Sequence, residues 1–576
     1  MKFTHTPLLS EKLPDWRARF LLVCIMAGFV ALTLRSAYLQ GYHNDFLQQK
    51  GASRYARVIE LPATRGRITD RHGEPLAVSA PVKTIWAMPD SVKITPAQER
   101  ELASALGMDV RELTRRLALE EDSVFLKRQI SPQLAEKVVA MKLPGVYQQA
   151  EYRRYYPSAE VAAHLLGFTG ADGEGQEGIE LAFERQLLGK PGSRWVIKDR
   201  RGQVVEDVQS IKPPRNGSDI TLAMDSKIQY LAHAQLRDCM TETKAKGGGV
   251  VVLDVKTGEV LALVNFPTYN PNNRDYLKGR QLRNRAVTDT FEPGSTMKPF
   301  TIAMGLESGK FRPDTLIQTG NGNITIGKAT IHDSHPGGAM SVAQVIQKSS
   351  NVGASRIALS LPPEDMWTQF ESLGFGSAPK LGFPGEASGR LRPWKTWRPI
   401  EQATMSFGHG ISVSLIQLAR AYEVFARDGD MLPVSLRRVD GPAPAGRQIF
   451  SPETARQVRA MLELVVQPGG TATKAAVPGY RVGGKTGTAH KLDGGHYAEH
   501  RYIASFVGLA PASDPRLIVA VMVDEPSAGK YFGGEVAAPV FARIMGGALR
   551  TLGVAPDAPI KPLQIAVKAE DVKERM

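Results

Sequence analysis

The chain has 576 residues, 42% of them hydrophobic and 23% charged, which is enough apolar content for a large core divided over two or more domains and excludes a disordered or collagen-like chain. The 72 lysines plus arginines against 58 aspartates plus glutamates give a net charge of +14. The excess forms no basic run of the kind that grips nucleic acid, so an anionic polymer or a membrane surface is expected and a nucleic-acid partner is not.

Between Arg19 and Arg35 lie fifteen uncharged residues, Phe20 to Leu34. As a helix they span about 22 Å, short of the roughly 30 Å of a bilayer core. If Arg35 snorkels and Ser36 to Gln40 continue the helix, the span reaches about twenty residues. Lys2, Lys12, Arg17 and Arg19 precede it, so the positive-inside rule makes residues 1–16 a cytoplasmic tail, residues 17–40 a single membrane anchor, and places the remainder outside. Leu34 and Arg35 spoil the small-x-small cleavage pattern around Ser36 and Ala37, which favours an uncleaved anchor over a signal peptide. Only two cysteines follow or fall within it, Cys24 and Cys239, so neither a disulfide framework nor a cysteine-based zinc site is available.

From Val58 short apolar runs alternate with turn signals at Arg65-Gly66-Arg67 and Asp70-Arg71-His72-Gly73. Helical spacing is predicted over Ala97 to Leu119 and Pro132 to Met141, and a Gly-rich stretch covers Gly167 to Gly178. Lys212-Pro213-Pro214-Arg215-Asn216-Gly217 reads as a linker, which separates a mixed α/β domain of residues 41–215 from a second domain of residues 216–555. In the second, Ile228 to Cys239 reads as a helix, and Val250 to Leu253 and Val260 to Val264 as a hairpin about Lys256-Thr257-Gly258. Helices occupy roughly residues 295–430, Ile503 to Leu509 and Leu517 to Val523 read as strands, and residues 556–576 as a loose tail. The expected fold class is α+β, in which an antiparallel sheet with strands drawn from both ends of the second domain is covered by helices.

S-x-x-K occurs at Ser295/Lys298, Ser377/Lys380 and Ser527/Lys530. The last two lie in Gly/Pro-containing loops, where spacing fixes no geometry, whereas Ser295 follows Pro293-Gly294 and opens an apolar run from Phe300 to Leu306. Pro299 belongs in the first turn of a helix, so the helix is expected to start at about Ser295. The hydroxyl then sits near unpaired N–H groups that can receive an oxyanion, and Lys298 lies on the same face within reach of it. As a base Lys298 must be neutral for part of the cycle, through burial or neighbouring cations. The alternative is an N-cap serine beside a surface lysine.

Ser349-Ser350-Asn351 is placed between two helical patterns, where a hydroxyl and a carboxamide could relay a proton and hold an amide, or form a capping turn. Of two K-T-G strings, Lys256-Thr257-Gly258 is ordinary turn chemistry. Lys485-Thr486-Gly487-Thr488 follows Gly483-Gly484 and offers a cation, two hydroxyls and approachable backbone, which suits a carboxylate. Four other patterns read as structural. His496-x-x-Glu499-His500 matches a zinc-protease string but follows Gly494-Gly495 and reads as a connecting loop; His332-x-x-His335 reads as a turn. Gly173-x-Gly175-x-x-Gly178 carries Glu174, Glu177 and Glu180, which would repel a pyrophosphate. Tyr152, Tyr155 and Tyr156 beside Arg153 and Arg154 are assigned to packing rather than base stacking.

Ser295-x-x-Lys298, Ser349-x-Asn351 and Lys485-Thr486-Gly487, in that order, resemble the active-site triplet of penicillin-binding proteins and serine β-lactamases. Arg65 to Ala77 (RGRITDRHGEPLA) and Arg154-Tyr155-Tyr156-Pro157 resemble the non-catalytic pedestal of class B penicillin-binding proteins. Val82 to Pro89 and the single anchor are most similar to the FtsI-type division transpeptidases. Ser158-Ala159 and Phe407-Gly408-His409 depart from the family pattern. The resemblance covers about residues 20–550. It implies a peptidoglycan D,D-transpeptidase of the bacterial inner membrane and division septum, acting through a serine acyl-enzyme and acylated by β-lactams, without metal or organic cofactor. Ser295 would be the nucleophile, Lys298 its base, Ser349 a proton relay, Asn351 the holder of the donor amide, and Lys485, Thr486, Gly487 and Thr488 the carboxylate site. Implied partners are peptidoglycan stem peptides, an FtsW-like glycan polymerase and other division proteins. An elongation-type transpeptidase, a D,D-carboxypeptidase or β-lactamase, and a division scaffold with secondary catalysis are the competing readings, separated by acyl-enzyme lifetime and by complementation with Ser295→Ala.

Overall fold

The computed structural model describes residues 15–42, 56–198, 204–273, 279–334, 336–493 and 496–559. Lys2, Lys12, His335, Gly494, Gly495 and the tail from residue 560 lie outside the described residues. The apolar N-terminal run is one helix, Asp15–Ala37, followed by a wider turn over Tyr38–Tyr42. Within Asp15–Gly41 an 18-residue window has a mean hydropathy of 2.1 and no buried residue, and at 1.5 Å per residue the 27 residues extend about 40 Å, more than a bilayer core requires.

The chain divides into two compact units, one made of residues 1–63, 83–151 and 190–216 and the other of residues 64–82, 152–189 and 217–576. In the first unit the single helix expected over Ala97 to Leu119 is two, Pro96–Leu106 and Val110–Leu117. Gly107, at φ +60°, ends the first in the left-handed conformation that glycine adopts without strain, and Asp109 caps the second by accepting from the Arg111 N–H. Helix Pro132–Ala140 and strand Val124–Ile130 complete this part, around Leu102, Leu106, Leu113, Leu126 and Val138.

In the second unit the Gly-rich stretch has a packing role. Glu180 is fully buried and takes Arg65 on one carboxylate oxygen at 2.5 Å and Arg154 on the other at 2.6 Å. Gly217 of the expected linker is packed as well, since a Cβ there would lie 1.7 Å from the Leu187 carbonyl oxygen. Tyr156 is buried as expected, but Tyr152 and Tyr155 are exposed.

The larger unit is built on helix α1 (Ser226–Thr243), strands β1 (Gly247–Asp254) and β2 (Val260–Phe266), helices α2 (Lys298–Glu307), α3 (Val342–Lys348), α4 (Asn351–Leu359), α5 (Leu415–Ala421) and α6 (Pro452–Val466), strands β3 (Gly483–Asp493), β4 (His496–Ala510) and β5 (Leu517–Asp524), and helix α7 (Gly533–Thr551). The strands form one antiparallel sheet in the order β2-β1-β5-β4-β3. Every residue of β1 and β5 is buried, which is why both read as unbroken apolar runs rather than alternating ones. Neighbouring residues of β1 show the two covered faces: a Cβ on Gly248 would meet Leu236 of α1 at 3.1 Å, and one on Gly249 would meet Leu415 of α5 at 3.2 Å.

Four features depart from the sequence reading. Lys485-Thr486-Gly487 does not precede the strands but lies within one, β3, and His496 to His500 begin strand β4 instead of forming a loop. The paired ladder from Gly483↔Leu509 to Asp493↔His496 overrides the weak strand propensity of Gly-Gly-Lys-Thr-Gly-Thr. Helix α7, with Pro539 inside it, went unread. The loose tail begins later than Pro556, because Asp557 accepts hydrogen bonds from the Arg481 N–H and the Ser513 hydroxyl.

Candidate active site

Ser295 lies on a 3-10 turn, Gly294–Met297, and α2 starts only at Lys298. The helix start expected at Ser295 is displaced because Pro299 has no N–H to give to the Ser295 carbonyl; the Lys298 N–H bonds that oxygen instead and tightens the turn. The turn is fastened from behind. The fully buried Tyr422 donates its hydroxyl to the Thr296 carbonyl at 2.9 Å, and the Thr296 hydroxyl donates to the Pro293 carbonyl at 2.7 Å. Gly408, at φ +86°, lies so close that a Cβ would come within 2.3 Å of the Gly294 carbonyl oxygen. These contacts leave the Ser295 side chain half-buried and facing a cleft of about 1090 Å³.

Lys298 is fully buried. The expected bond to Ser295 is not made; its amine donates to the Ser349 carbonyl at 2.5 Å and to Ser349 Oγ at 3.1 Å. Ser349 ends α3 in the left-handed conformation, φ +62°, which turns that carbonyl out of the helix ladder and makes it an acceptor. Lys485 reaches the same hydroxyl from β3, at 2.9 Å, and also contacts Thr486 Oγ1 at 3.2 Å. Two buried amines thus share one serine oxygen. Burial first, and then the charge of Lys485, hold the Lys298 amine well below the ordinary lysine range, with Asp333 opposing. Burial brings Lys485 down to about 7.

Strand alternation arranges the rest. Thr486, Thr488 and His490 line the cleft from one face of β3. Gly487 faces the other way, against the serine turn: a Cβ there would lie 2.3 Å from Ser505 Oγ, 2.8 Å from the Pro293 carbonyl oxygen and 3.0 Å from Thr296 Cγ2. The Thr486 and Thr471 hydroxyls are 3.0 Å apart, and Thr488 Oγ1 accepts from the Gly533 N–H of α7 at 3.1 Å. Asn351 opens α4 and donates to the His332 carbonyl at 2.9 Å, while Ser350 caps that helix through the Gly353 N–H at 2.9 Å.

Sequence reasoning missed Asp333, which it treated as part of a histidine turn. Its carboxylate accepts from Ser350 Oγ at 2.6 Å, the Asn351 N–H at 2.5 Å and the Val352 N–H at 2.9 Å, so it holds the serine-asparagine segment in place. It also missed Tyr422 and the cleft-lining His490, Tyr502, Tyr531 and Phe532. His490 was readable in principle from the period of two that continues Thr486 and Thr488; the others arrive from distant segments. His496 and His500 are on an extended strand, and no group of three or more His, Cys, Asp or Glu side chains that could hold a metal ion occurs among the described residues. Ser377/Lys380 and Ser527/Lys530 line no part of this cleft. Lys256-Thr257-Gly258 is the β1–β2 turn, with Gly258 at φ +73°.

A family model of the penicillin binding protein transpeptidase domain matches residues 248–546, and one of the penicillin-binding protein dimerisation domain matches residues 60–222. The chain is 45% identical over 549 residues to the probable peptidoglycan D,D-transpeptidase PenA of Neisseria meningitidis, covering 94% of each chain. It is 42% identical over 551 residues to the peptidoglycan D,D-transpeptidase FtsI of Escherichia coli, covering 94% of this chain and 93% of that one. Among solved structures, the apo transpeptidase domain of Burkholderia pseudomallei penicillin-binding protein 3 is 52% identical with a TM-score of 0.55, over 59% of this chain and 98% of that one. Motifs that are each weak alone therefore meet in one cleft of a chain whose likeness to these relatives runs almost end to end, and the protein belongs to the class B penicillin-binding proteins of the FtsI/PenA type.

Proposed function

We propose that the protein is a membrane-anchored peptidoglycan D,D-transpeptidase that crosslinks stem peptides during septal wall synthesis. The observation that carries this reading is the approach of Lys298 and Lys485 to Ser349 Oγ, at 3.1 and 2.9 Å, in the cleft that Ser295 lines. Burial and mutual repulsion favour a neutral amine at Lys298, which supplies a base without a histidine.

Ser295 Oγ attacks the carbonyl between two D-alanines, giving its proton to Lys298. The oxyanion is received by the N–H groups of Ser295 and Thr488, each donor of this kind being worth about 10²- to 10³-fold. Ser349 passes the proton to the departing D-alanine amine. Asn351 holds the donor amide, and Lys485, Thr486 and Thr488 bind the terminal carboxylate, with Gly487 letting the strand lie close to the serine turn. Because β3 is the sheet's edge, the donor peptide can lie along it as an added strand. An amine from a second stem peptide then takes the acyl group. A β-lactam, which resembles the D-alanyl-D-alanine end, acylates Ser295 and stays.

The same reading makes residues 1–16 a cytoplasmic tail, 17–40 an inner-membrane anchor, 41–215 a pedestal and 216–555 the catalytic domain, with an FtsW-like glycan polymerase and other division proteins as partners. The apolar helix Asp15–Gly41 and the FtsI-named relatives support it. The test is mass spectrometry of the protein after exposure to penicillin: the adduct is expected on the peptide containing Ser295, and an unmodified Ser295 overturns the assignment. Hydrolysis of that adduct within seconds would instead favour a carboxypeptidase or β-lactamase.

A further inference from the structure

Glu525 directly follows β5 and has no part in the chemistry assigned above, yet it is built as a junction. Its side chain is 7% exposed and accepts three cations. Lys491 of β3 and Arg501 of β4 meet on one carboxylate oxygen, each at 2.7 Å, and Lys246, just before β1, takes the other at 2.6 Å. The Arg501 hydrogen bond first, and then those from Lys246 and Lys491, hold the carboxyl well below its ordinary range against the opposing effect of burial, so it stays charged. Its φ is +52°, in the left-handed region where a glutamate is strained. Glycine or asparagine adopts that conformation more readily, and a strained residue persists where the surrounding contacts over-determine it.

What the junction holds is a set of four rings. Lys491 directly follows His490 and Arg501 directly precedes Tyr502, and His490 and Tyr502 lie opposite one another in the β3–β4 ladder. Successive side chains of a strand point to opposite faces, so the two cations leave the sheet on the face opposite to the two rings. The backbone contributes as well. The Glu525 N–H donates to the Tyr502 carbonyl at 2.9 Å, and its left-handed turn starts the segment that brings Tyr531 back onto Tyr502, with ring centroids 4.2 Å apart and planes 15° from parallel. Phe532 packs on Tyr531 at 4.4 Å and His490 on Tyr502 at 4.7 Å. All four rings line the cleft, and Glu525 does not. We infer that Glu525 is a positioning residue for the transpeptidase site: its carboxylate fixes the His490–Tyr502 pair, its turn fixes the Tyr531–Phe532 pair, and together they set how well the cleft accepts an acyl donor that carries a flat apolar group. The inference rests on the transpeptidase reading and adds to it a residue that selects among donors without touching them.

The experiment uses the full chain in detergent and two penicillins with the same reacting nucleus: benzylpenicillin, which carries a phenyl ring, and 6-aminopenicillanic acid, which lacks it. The second-order rate of adduct formation at Ser295 is read by mass spectrometry for each, beside the melting temperature. The unaltered protein is expected to prefer benzylpenicillin. Glu525→Asn, which tolerates the left-handed turn but loses the charge, should cut that preference about three- to ten-fold, the size of one aromatic contact, and leave the rate with 6-aminopenicillanic acid within about two-fold. Glu525→Asp keeps the charge and should retain more of the preference than Glu525→Asn; the reverse order overturns the inference. Arg501→Gln removes one cation only and should lower the same preference by a smaller factor, which carries the test if Glu525→Asn does not fold. No preference in the unaltered protein, a preference untouched by the variants, or an equal fall for both penicillins overturns the inference, the last being the mark of a purely structural role. Failure of the unaltered protein to acylate at Ser295 would overturn the functional reading instead.

Discussion

Gly487→Ala tests the close approach of β3 to the serine turn. The new methyl would begin 2.8 Å from the Pro293 carbonyl oxygen and 2.3 Å from Ser505 Oγ. Ordinary carbon contacts lie at about 3.5–4.0 Å. The serine hydroxyl can rotate away, but Pro293 belongs to the backbone that leads into the 3-10 turn, so β3 and the turn must separate by roughly 0.5–1 Å. Overpacking of this kind costs about 1–3 kcal/mol of stability, and a misplacement of about 1 Å between reacting groups costs on the order of 10²-fold in rate. Gly487 is not among the glycines with positive φ, so the methyl adds contact and no backbone strain. The assay is the second-order rate of acylation by a fluorescent penicillin, measured beside the melting temperature. The expected result is a fall of about 30- to 100-fold in rate with a folded protein. A rate within two-fold of the unaltered protein would refute the claim that this glycine sets the distance between carboxylate strand and nucleophile.

The amine at Lys485, brought to about 7 from an ordinary 10.5, is charged in the unfolded chain and neutral in the folded one between those values. The unfolded state then binds more protons, and stability should rise with pH from about 7 toward 10, Lys298 acting in the same direction; chemical denaturation across that range checks it, and Lys485→Met should flatten the slope. The acylation rate should decline as pH rises through about 7, where Lys485 loses the charge that under the proposed function attracts a carboxylate, and a flat profile from pH 6 to 9 would count against that role. Tyr422→Phe removes one buried hydroxyl and leaves the Thr296 carbonyl without that donor, which should cost about 1–3 kcal/mol in denaturation and slow penicillin acylation several-fold; an unchanged rate would show that the serine turn holds itself. Glu180→Gln leaves Arg65 and Arg154 with no carboxylate between them and should destabilise by about 3–5 kcal/mol, whereas a loss under about 1 kcal/mol would mean that Glu184 replaces it.

The sheet was legible where burial writes a continuous apolar code. Val250 to Leu253 and Leu517 to Val523 are buried on both faces and could be read without knowing their partners. The strand with the chemistry was not, because Gly483, Gly484 and Gly487 are there for close approach to neighbouring groups and carry no strand signal of their own. Helix α7 was hidden by Pro539 and by its glycines. In the site, the three motifs could be located from spacing and context, and the need for a neutral Lys298 followed from elementary acid–base chemistry. What the sequence could not give was the partner of that lysine. Proximity along the chain pointed to Ser295, but the folded molecule offers Ser349, whose carbonyl is released by a backbone conformation that no local pattern announces. Asp333 and Tyr422 likewise act at positions remote in the chain from the groups they hold.

The position of β5 between β1 and β4 has a consequence for how the protein is made. A chain synthesised from its N-terminus delivers the centre of this sheet nearly last. Until residues 517–524 emerge, the hairpin of β1 and β2 waits with one long apolar border unpaired, and the hairpin of β3 and β4 waits with another; such borders invite joining to other chains. A premature stop shortly before Leu517 would therefore leave all three motifs encoded and no single sheet to unite them. The last tenth of the message decides whether the rest becomes an enzyme or an aggregate.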